Sequence, residues 1–136
     1  MKTYRTLIKL QKIEIDRVKK ELLKLNLTLE ELHQTLQKLD DELANESHAY
    51  NAYNQNSLVN TNFDHFYQVN RHKYENVRNK IPLLEEQISL KREELQAYFS
   101  ELKKIEHILE GKVFEQKAQR NKKEQQELDA FIKKAI

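Results

Sequence analysis

This chain of 136 residues has no cysteine, so its five histidines are the side chains best suited to metal binding or catalysis. A histidine metal site on a helix needs two imidazoles at close helical spacing and a carboxylate as a further ligand. His65 and His72 lie seven residues apart without such an arrangement. We interpret all five as solvated surface side chains: His33, His48, His65, His72 and His107. The absence of cysteine excludes disulfides, thiol catalysis and cysteine-based metal sites.

Glycine and proline each occur once, at Gly111 and Pro82. A single glycine is too few for a phosphate-cradling loop. A protein of paired helices also lacks the concave pocket in which enzymes shift the pKa of a catalytic group. We therefore expect a non-enzymatic protein without cofactor or metal. Because glycine and proline are the main interrupters of helices, long continuous helices are possible.

Apolar residues return every three or four positions through the first third of the chain. This spacing is the heptad pattern of a coiled-coil helix, in which apolar side chains form one stripe. We call this stripe the first seam, and Gln11 is its polar member before residue 43. Its apolar members are Tyr4, Ile8, Ile15, Val18, Leu22, Leu25, Leu29, Leu32, Leu36, Leu39 and Leu43, and the register continues through Glu46 to Tyr50 and Tyr53.

A second seam of the same spacing occupies the second half of the chain. Asn70 and Lys91 are its polar members, and Pro82 lies within it. Proline either kinks a helix or marks its first turn, and the register on both sides of Pro82 favours a kink. The apolar members are Phe63, Tyr67, Tyr74, Val77, Ile81, Leu84, Ile88, Leu95, Tyr98, Leu102, Ile105 and Leu109.

The segment between the seams, residues 54–62, is rich in asparagine, which favours turns over helix interiors. It predicts the tip of a hairpin, with Asn60–Asn62 as N-caps for the second helix. The prediction is an all-α fold, a long antiparallel two-helix coiled-coil hairpin. Its helices span about residues 3–53 and 63–134. Pairing then places Tyr4 opposite Lys112, and residues 113–136 overhang as an unpaired helix.

The charge pattern gives this hairpin a polarity. Residues 1–25 carry net charge +5 and residues 112–136 carry +3, while residues 26–111 carry −6. The hairpin would bring both basic segments together at its open end, which we call the base. No window approaches the ~20 apolar residues of a membrane span, so we expect no direct membrane insertion.

Two clusters are candidate protein-binding surfaces. An apolar stripe in the overhang, which no other part of the chain is predicted to cover, suits a partner groove or ring, and its members are Leu128, Phe131, Ile132 and Ala135. Near the tip, aromatic side chains either close the hairpin end or form an exposed binding patch, and both interpretations stay open. These aromatic residues are Tyr50, Tyr53, Phe63, Phe66 and Tyr67.

Both ends of the chain resemble the flagellar FliJ family, small coiled-coil proteins of the bacterial type III export apparatus with relatives in injectisomes. The opening TLIKLQKIEID at 6–16 is similar to the family's N-terminal segment. The closing QELDAF at 126–131 is similar to its C-terminal pattern, with Ala130 where an acidic residue is usual. Chain length and the overhanging second helix agree with the family as well.

The resemblance implies a coupling role in flagellum assembly. It implies that the terminal helices enter the hexameric export ATPase, that the hairpin middle contacts the cytoplasmic domain of the export gate, and that export chaperones are escorted. It also implies a cytoplasmic protein held peripherally at the inner membrane through this apparatus. The implied ATPase-binding residues are Arg120, Lys122, Lys123, Gln126, Leu128, Asp129 and Phe131. The implied gate-binding residues are Leu39, Leu43, Tyr50, Tyr53, Phe63, Phe66 and Tyr67.

Three other functions remain open at this stage. A helical-hairpin chaperone or adaptor unrelated to secretion would carry its affinity at the tip. A structural coiled coil would pair its seams between chains rather than within one. A nucleic-acid binder is disfavoured, because Glu124, Glu127 and Asp129 lie among the basic groups of the overhang and would repel phosphate.

Overall fold

Two long helices make up the part of the chain that the computed structural model describes, residues 2–52 and 57–135. Side chains are described at residues 2–49 and 63–135. Helix α1 is Lys2–Ala52 and helix α2 is Ser57–Ala135. Both are rich in leucine, lysine, glutamate and glutamine, which lose little side-chain freedom in a helix.

The chain divides into two compact units, and each unit takes a segment from both helices. Unit 1 comprises Met1–Val18 and Glu94–Ile136, and unit 2 comprises Lys19–Glu93. Each has its own seam contacts and its own buried side chains.

Polar contacts fix the direction of pairing in unit 1. The Lys112 ammonium lies 5.9 Å from the centroid of the Tyr4 ring, within the range of a cation–π contact. Further along α1, the Arg17 guanidinium donates a hydrogen bond of 3.2 Å to Glu94. Residue numbers rise along α1 as they fall along α2, so the helices are antiparallel. The predicted opposition of Tyr4 and Lys112 is confirmed.

The core of unit 1 is built from seam residues of both helices. Val18 is 0% exposed, and Ile15, Leu102 and Ile105 are also buried. Burying a Val, Leu or Ile side chain contributes roughly 1.5–3 kcal/mol each. These contacts stabilise unit 1 far more than its exposed ion pairs do, since exposed pairs contribute about 0–1 kcal/mol.

In unit 2 the polar members of the seams have partners across the helix pair. The Asn70 amide donates a hydrogen bond of 2.6 Å to the Glu46 carboxylate, and both side chains are half-buried. Lys91 forms an ion pair of 2.6 Å with Glu21. A polar pair within an apolar seam favours one register, because a slipped alignment would leave its groups buried without partners.

Apolar seam residues form the core of unit 2, where Leu39, Ile81, Leu84 and Ile88 are buried. In both units, every predicted seam member with a described side chain is buried or half-buried. The two long helices pack against each other in antiparallel orientation. The prediction of an all-α coiled-coil hairpin is therefore confirmed.

The start of the second helix differs from the prediction. Helix α2 begins at Ser57, six residues before the expected position, so Asn60–Asn62 lie inside the helix and are not its N-caps. Asparagine and threonine cost at most about 0.7 kcal/mol each in a helix interior. Adding a turn to a helix that already exists is favourable, so the helix that packs through the seam from Phe63 extends back to Ser57 despite this cost. Of the predicted tip, residues 54–56 lie outside the described residues, as does Tyr53.

Helix α2 also continues through Pro82, whose ring is exposed. Proline has no N–H, so the carbonyl of Arg78 receives no helical hydrogen bond at this turn. Exposure lets water satisfy that carbonyl, and the seam residues Ile81 and Leu84 on either side of Pro82 are buried. Packing on the seam face thus maintains the helix across a residue that disfavours it.

Candidate functional site

The C-terminal segment of α2 in unit 1 is an exposed helix. Every side chain at 113–135 is exposed, which confirms the predicted overhang for the described part of residues 113–136. The α2 backbone passes through Gly111, and a Cβ added there would meet nothing within 4 Å. Lys133 and Lys134 in the last turn favour the helix by facing the negative end of its dipole.

An apolar stripe runs along this segment, and we call it the C-terminal stripe. Its members follow spacings of three and four residues, interrupted by Asn121 and Gln125: Phe114, Ala118, Leu128, Ile132 and Ala135. Phe131 lies beside the stripe and is 70% exposed. The stripe therefore offers aromatic and aliphatic side chains that are already free to contact another protein.

The C-terminal stripe lies on a different side of α2 from the seam. Phe114 follows the last apolar seam residue, Leu109, by five residues, which is about 140° around an α-helix. Six of the seven positions that would continue the seam are polar, namely Lys112, Gln116, Gln119, Lys123, Gln126 and Lys133, and the seventh is the small residue Ala130. A partner of the stripe would thus approach α2 from a side that α1 does not occupy in unit 1.

Basic groups surround the stripe. Arg120, Lys122 and Lys123 are exposed, and none of them forms an ion pair with a residue that the structure describes. Asp129 accepts a hydrogen bond of 3.2 Å from Gln125, one helical turn earlier. The segment combines an apolar surface with available positive charge, which suits a partner surface that is apolar and acidic.

The described aromatic residues near the predicted tip serve two different purposes in unit 2. The rings of Phe63 and Tyr67 are half-buried and stacked, with centroids 5.7 Å apart. Phe66 is instead 61% exposed, and its ring lies 6.2 Å from that of His65. Val69, three residues further along α2, is exposed as well. The first pair closes the seam, whereas Phe66 and Val69 form an exposed patch.

Four of the described residues expected to contact the export gate are buried or half-buried, namely Leu39, Leu43, Phe63 and Tyr67. Leu39 is 9% exposed and belongs to the core of unit 2, and Leu43 is half-buried. The seam covers Leu39, so in this structure it supports the surface from beneath, and its contact with the export gate stays a prediction. The side chains of Tyr50 and Tyr53 lie outside the described residues.

Other kinds of site are sparse in the part of the chain that the structure describes. No group of three or more histidine, aspartate or glutamate side chains there could hold a metal ion. None of its helices is both long and apolar enough to cross a membrane.

The sequence pattern identified Leu128, Phe131, Ile132 and Ala135, but Phe114, Ala118 and the rotation of the stripe away from the seam were missed. The signal was available, because Phe114 and Ala118 share the three-and-four spacing that leads to Leu128. It was obscured by two polar members, Asn121 and Gln125.

Comparison with known proteins adds no relative: no protein-family model, no curated protein and no solved structure matches the chain.

Proposed function

We propose that this protein is a non-enzymatic component of the bacterial flagellar type III export apparatus. In this proposal it couples the hexameric export ATPase to the cytoplasmic domain of the membrane export gate, escorts export chaperones and is needed for flagellum assembly. It acts in the cytoplasm and is held at the inner membrane through its partners. The observation that carries the proposal is the exposed helix at 113–135, with its C-terminal stripe and its basic groups.

The C-terminal segment has the properties expected of a helix that enters a ring. An isolated helix of this length is marginal in water, since most helical stability comes from packing of an apolar face. Binding inside a ring would cover the C-terminal stripe and supply that packing. Arg120, Lys122 and Lys123 would accelerate the encounter with an acidic pore through long-range attraction. The final anchoring would come from Leu128 and Phe131.

The Phe66 patch in unit 2 is the surface that we assign to the export gate. An exposed phenylalanine is a common anchor of protein interfaces, because it buries a large apolar area at little entropic cost. Val69 enlarges the patch on the same side of α2, and the stacked pair Phe63 and Tyr67 holds the backbone beneath it.

The same patch supports a second candidate function, a helical-hairpin chaperone or adaptor unrelated to secretion. Such a protein would bind its clients through Phe66 and would not need the C-terminal stripe. The two functions therefore differ in which of the two surfaces carries the affinity.

A pull-down with the flagellar export ATPase tests the proposal. The full chain is compared with a chain truncated after Gly111 and with the double variant Leu128→Ser, Phe131→Ser. Burial of each side chain contributes roughly 1.5–3 kcal/mol, so we expect binding to weaken at least about tenfold in both.

Phe66→Ser is the matched control, because its side chain is similarly exposed and lies in unit 2. It should retain full ATPase binding. Undiminished binding by the truncated chain would refute the assignment of residues 113–135 to the ATPase. Loss of client binding with Phe66→Ser alone would favour the adaptor.

A further inference from the structure

One flank of the helix pair in unit 2 carries an apolar groove that combines seam leucines with exposed leucines outside the seams. Two adjoining cavities of about 510 and 340 Å³ form it, and both are lined by Gln87. We call it the lateral groove, and its apolar lining consists of Leu25, Leu32, Leu83, Leu84 and Leu90. Leu83 and Leu90 are 63% and 58% exposed. The groove thus exposes leucine from α2 alongside seam leucines of α1.

Over residues 78–92 of α2, the exposed leucines lie on this flank. Leu83 and Leu90 lie seven residues apart, so both project from the same side of α2. The positions on the other flank of the same turns are Arg78, Glu85 and Arg92, and all three are exposed. Single exposed leucines are common on protein surfaces, but two in register beside a groove indicate a contact surface.

The charges that line the groove select its occupant. Glu21 and Lys91 neutralise each other in their 2.6 Å ion pair. Lys24 and Lys80 line the two cavities, and neither forms an ion pair with a described residue. The net charge left at the rim is positive, which favours a partner with carboxylates beside its apolar face.

We infer that the lateral groove binds an acidic amphipathic helix of a partner protein and forms a local three-helix bundle with it. A helix whose leucines recur every seven residues would match the ~10.5 Å separation of Leu83 and Leu90 along α2. Its flanking glutamates would meet Lys24 and Lys80. The inference is independent of the proposed function, because it uses no residue of the C-terminal segment.

A second copy of this chain is a poorer occupant. The exposed helical segment at residues 113–135 has six basic and four acidic side chains, a net charge of +2. Docking it in the groove would bring like charges against Lys24 and Lys80, which is destabilising. The seams offer no free stripe either, because their described side chains are already buried or half-buried against each other.

The test measures binding of two synthetic peptides to the full chain by fluorescence anisotropy. Both peptides are amphipathic helices of about 20 residues, long enough to form a helix in water, with leucines at heptad spacing along one face. One has glutamate and the other lysine at the flanking positions. We expect the glutamate peptide to bind at least about tenfold tighter than the lysine peptide, and Lys24→Glu with Lys80→Glu to reverse that preference.

The variant Leu83→Gln, Leu90→Gln removes the apolar wall and should weaken binding of the glutamate peptide at least about tenfold. Its matched control is Leu23→Gln, Leu27→Gln, which changes two exposed leucines that do not line the groove. Circular dichroism checks that both variants remain helical.

Equal binding of the two peptides, or equal binding by both leucine variants, would overturn the inference. So would sedimentation data in which the full chain dimerises and Leu83→Gln, Leu90→Gln abolishes the dimer. None of these outcomes bears on the proposed contact with the ATPase, which uses the C-terminal segment.

Discussion

Val18→Asp should unfold unit 1 or lower its free energy of unfolding by about 4 kcal/mol. Val18 is 0% exposed within the seam, so an aspartate there would be an unpaired charge without water. Removing one partner from a buried charge pair, which leaves the other uncompensated, costs about 3–5 kcal/mol. That is a large fraction of the 5–15 kcal/mol that stabilises a typical domain. Urea denaturation followed by circular dichroism measures the loss.

Leu23→Asp is the matched control for this variant. Leu23 lies on the same helix but is 61% exposed, so the charge remains in water and the cost should stay below about 1 kcal/mol. Val18→Ala should fall between the two, at about 2 kcal/mol, because it removes apolar area without adding charge. If the two aspartate variants lost equal stability, the seam would not be the element that holds the helices together.

Pro82→Ala should increase the free energy of unfolding by about 3 kcal/mol, the second largest effect that we expect. Alanine restores the N–H that can donate to the carbonyl of Arg78 and removes the clash of the ring with the preceding turn. The exposed position of Pro82 means that little packing is lost. The same denaturation experiment measures the gain, and the midpoint should move to higher urea concentration.

Ser89→Ala serves as the comparison for Pro82→Ala. Ser89 is an exposed residue in the same helix, and its replacement should change stability by no more than about 0.5 kcal/mol. A loss of stability with Pro82→Ala would mean that proline is favourable at this position, as it is in the first turn of a helix. Helix α2 would then consist of two helices that meet near residue 82.

The seams could be predicted from sequence because one physical rule determines them. Apolar residues at spacings of three and four fall on one stripe of a helix, and such a stripe must be covered. Ile15, Val18, Ile88 and Leu102 are accordingly buried. The antiparallel order followed from the asparagine-rich segment between the seams, since a short connection favours antiparallel neighbours.

Features that depend on contacts across the helix pair could not be predicted in the same way. Asn70 and Glu46 each interrupt a seam. Predicting the hydrogen bond between them would require the axial alignment of the two helices to be known to within one residue. The early start of α2 at Ser57 was missed because turn-favouring residues cost too little to end a helix. The lateral groove was missed because Leu83 and Leu90 lie off the seam, where single leucines are usually without consequence.

The candidate binding surfaces were also predictable from sequence only in part. The exposure of the C-terminal segment followed from the end of the seam near Gly111, and Phe131 was identified from its spacing to Leu128. Leu39 was assigned to the gate-binding surface by family resemblance, which does not distinguish a residue that forms a surface from one that supports it. Burial of the side chain makes that distinction.

Site-specific cross-linking from Ala130 tests most directly the central claim that the exposed C-terminal segment of α2 binds the export ATPase. The chain contains no cysteine, so Ala130→Cys gives a single attachment point for a photoreactive benzophenone, next to Phe131 and away from the seam residues that stabilise the helix pair. With the export ATPase added, we expect a cross-link to the ATPase from this position and none to it from Phe66→Cys. A cross-link from Ala130→Cys that joins only two copies of this chain, or an ATPase cross-link from Phe66→Cys alone, would show that the C-terminal segment does not bind the ATPase.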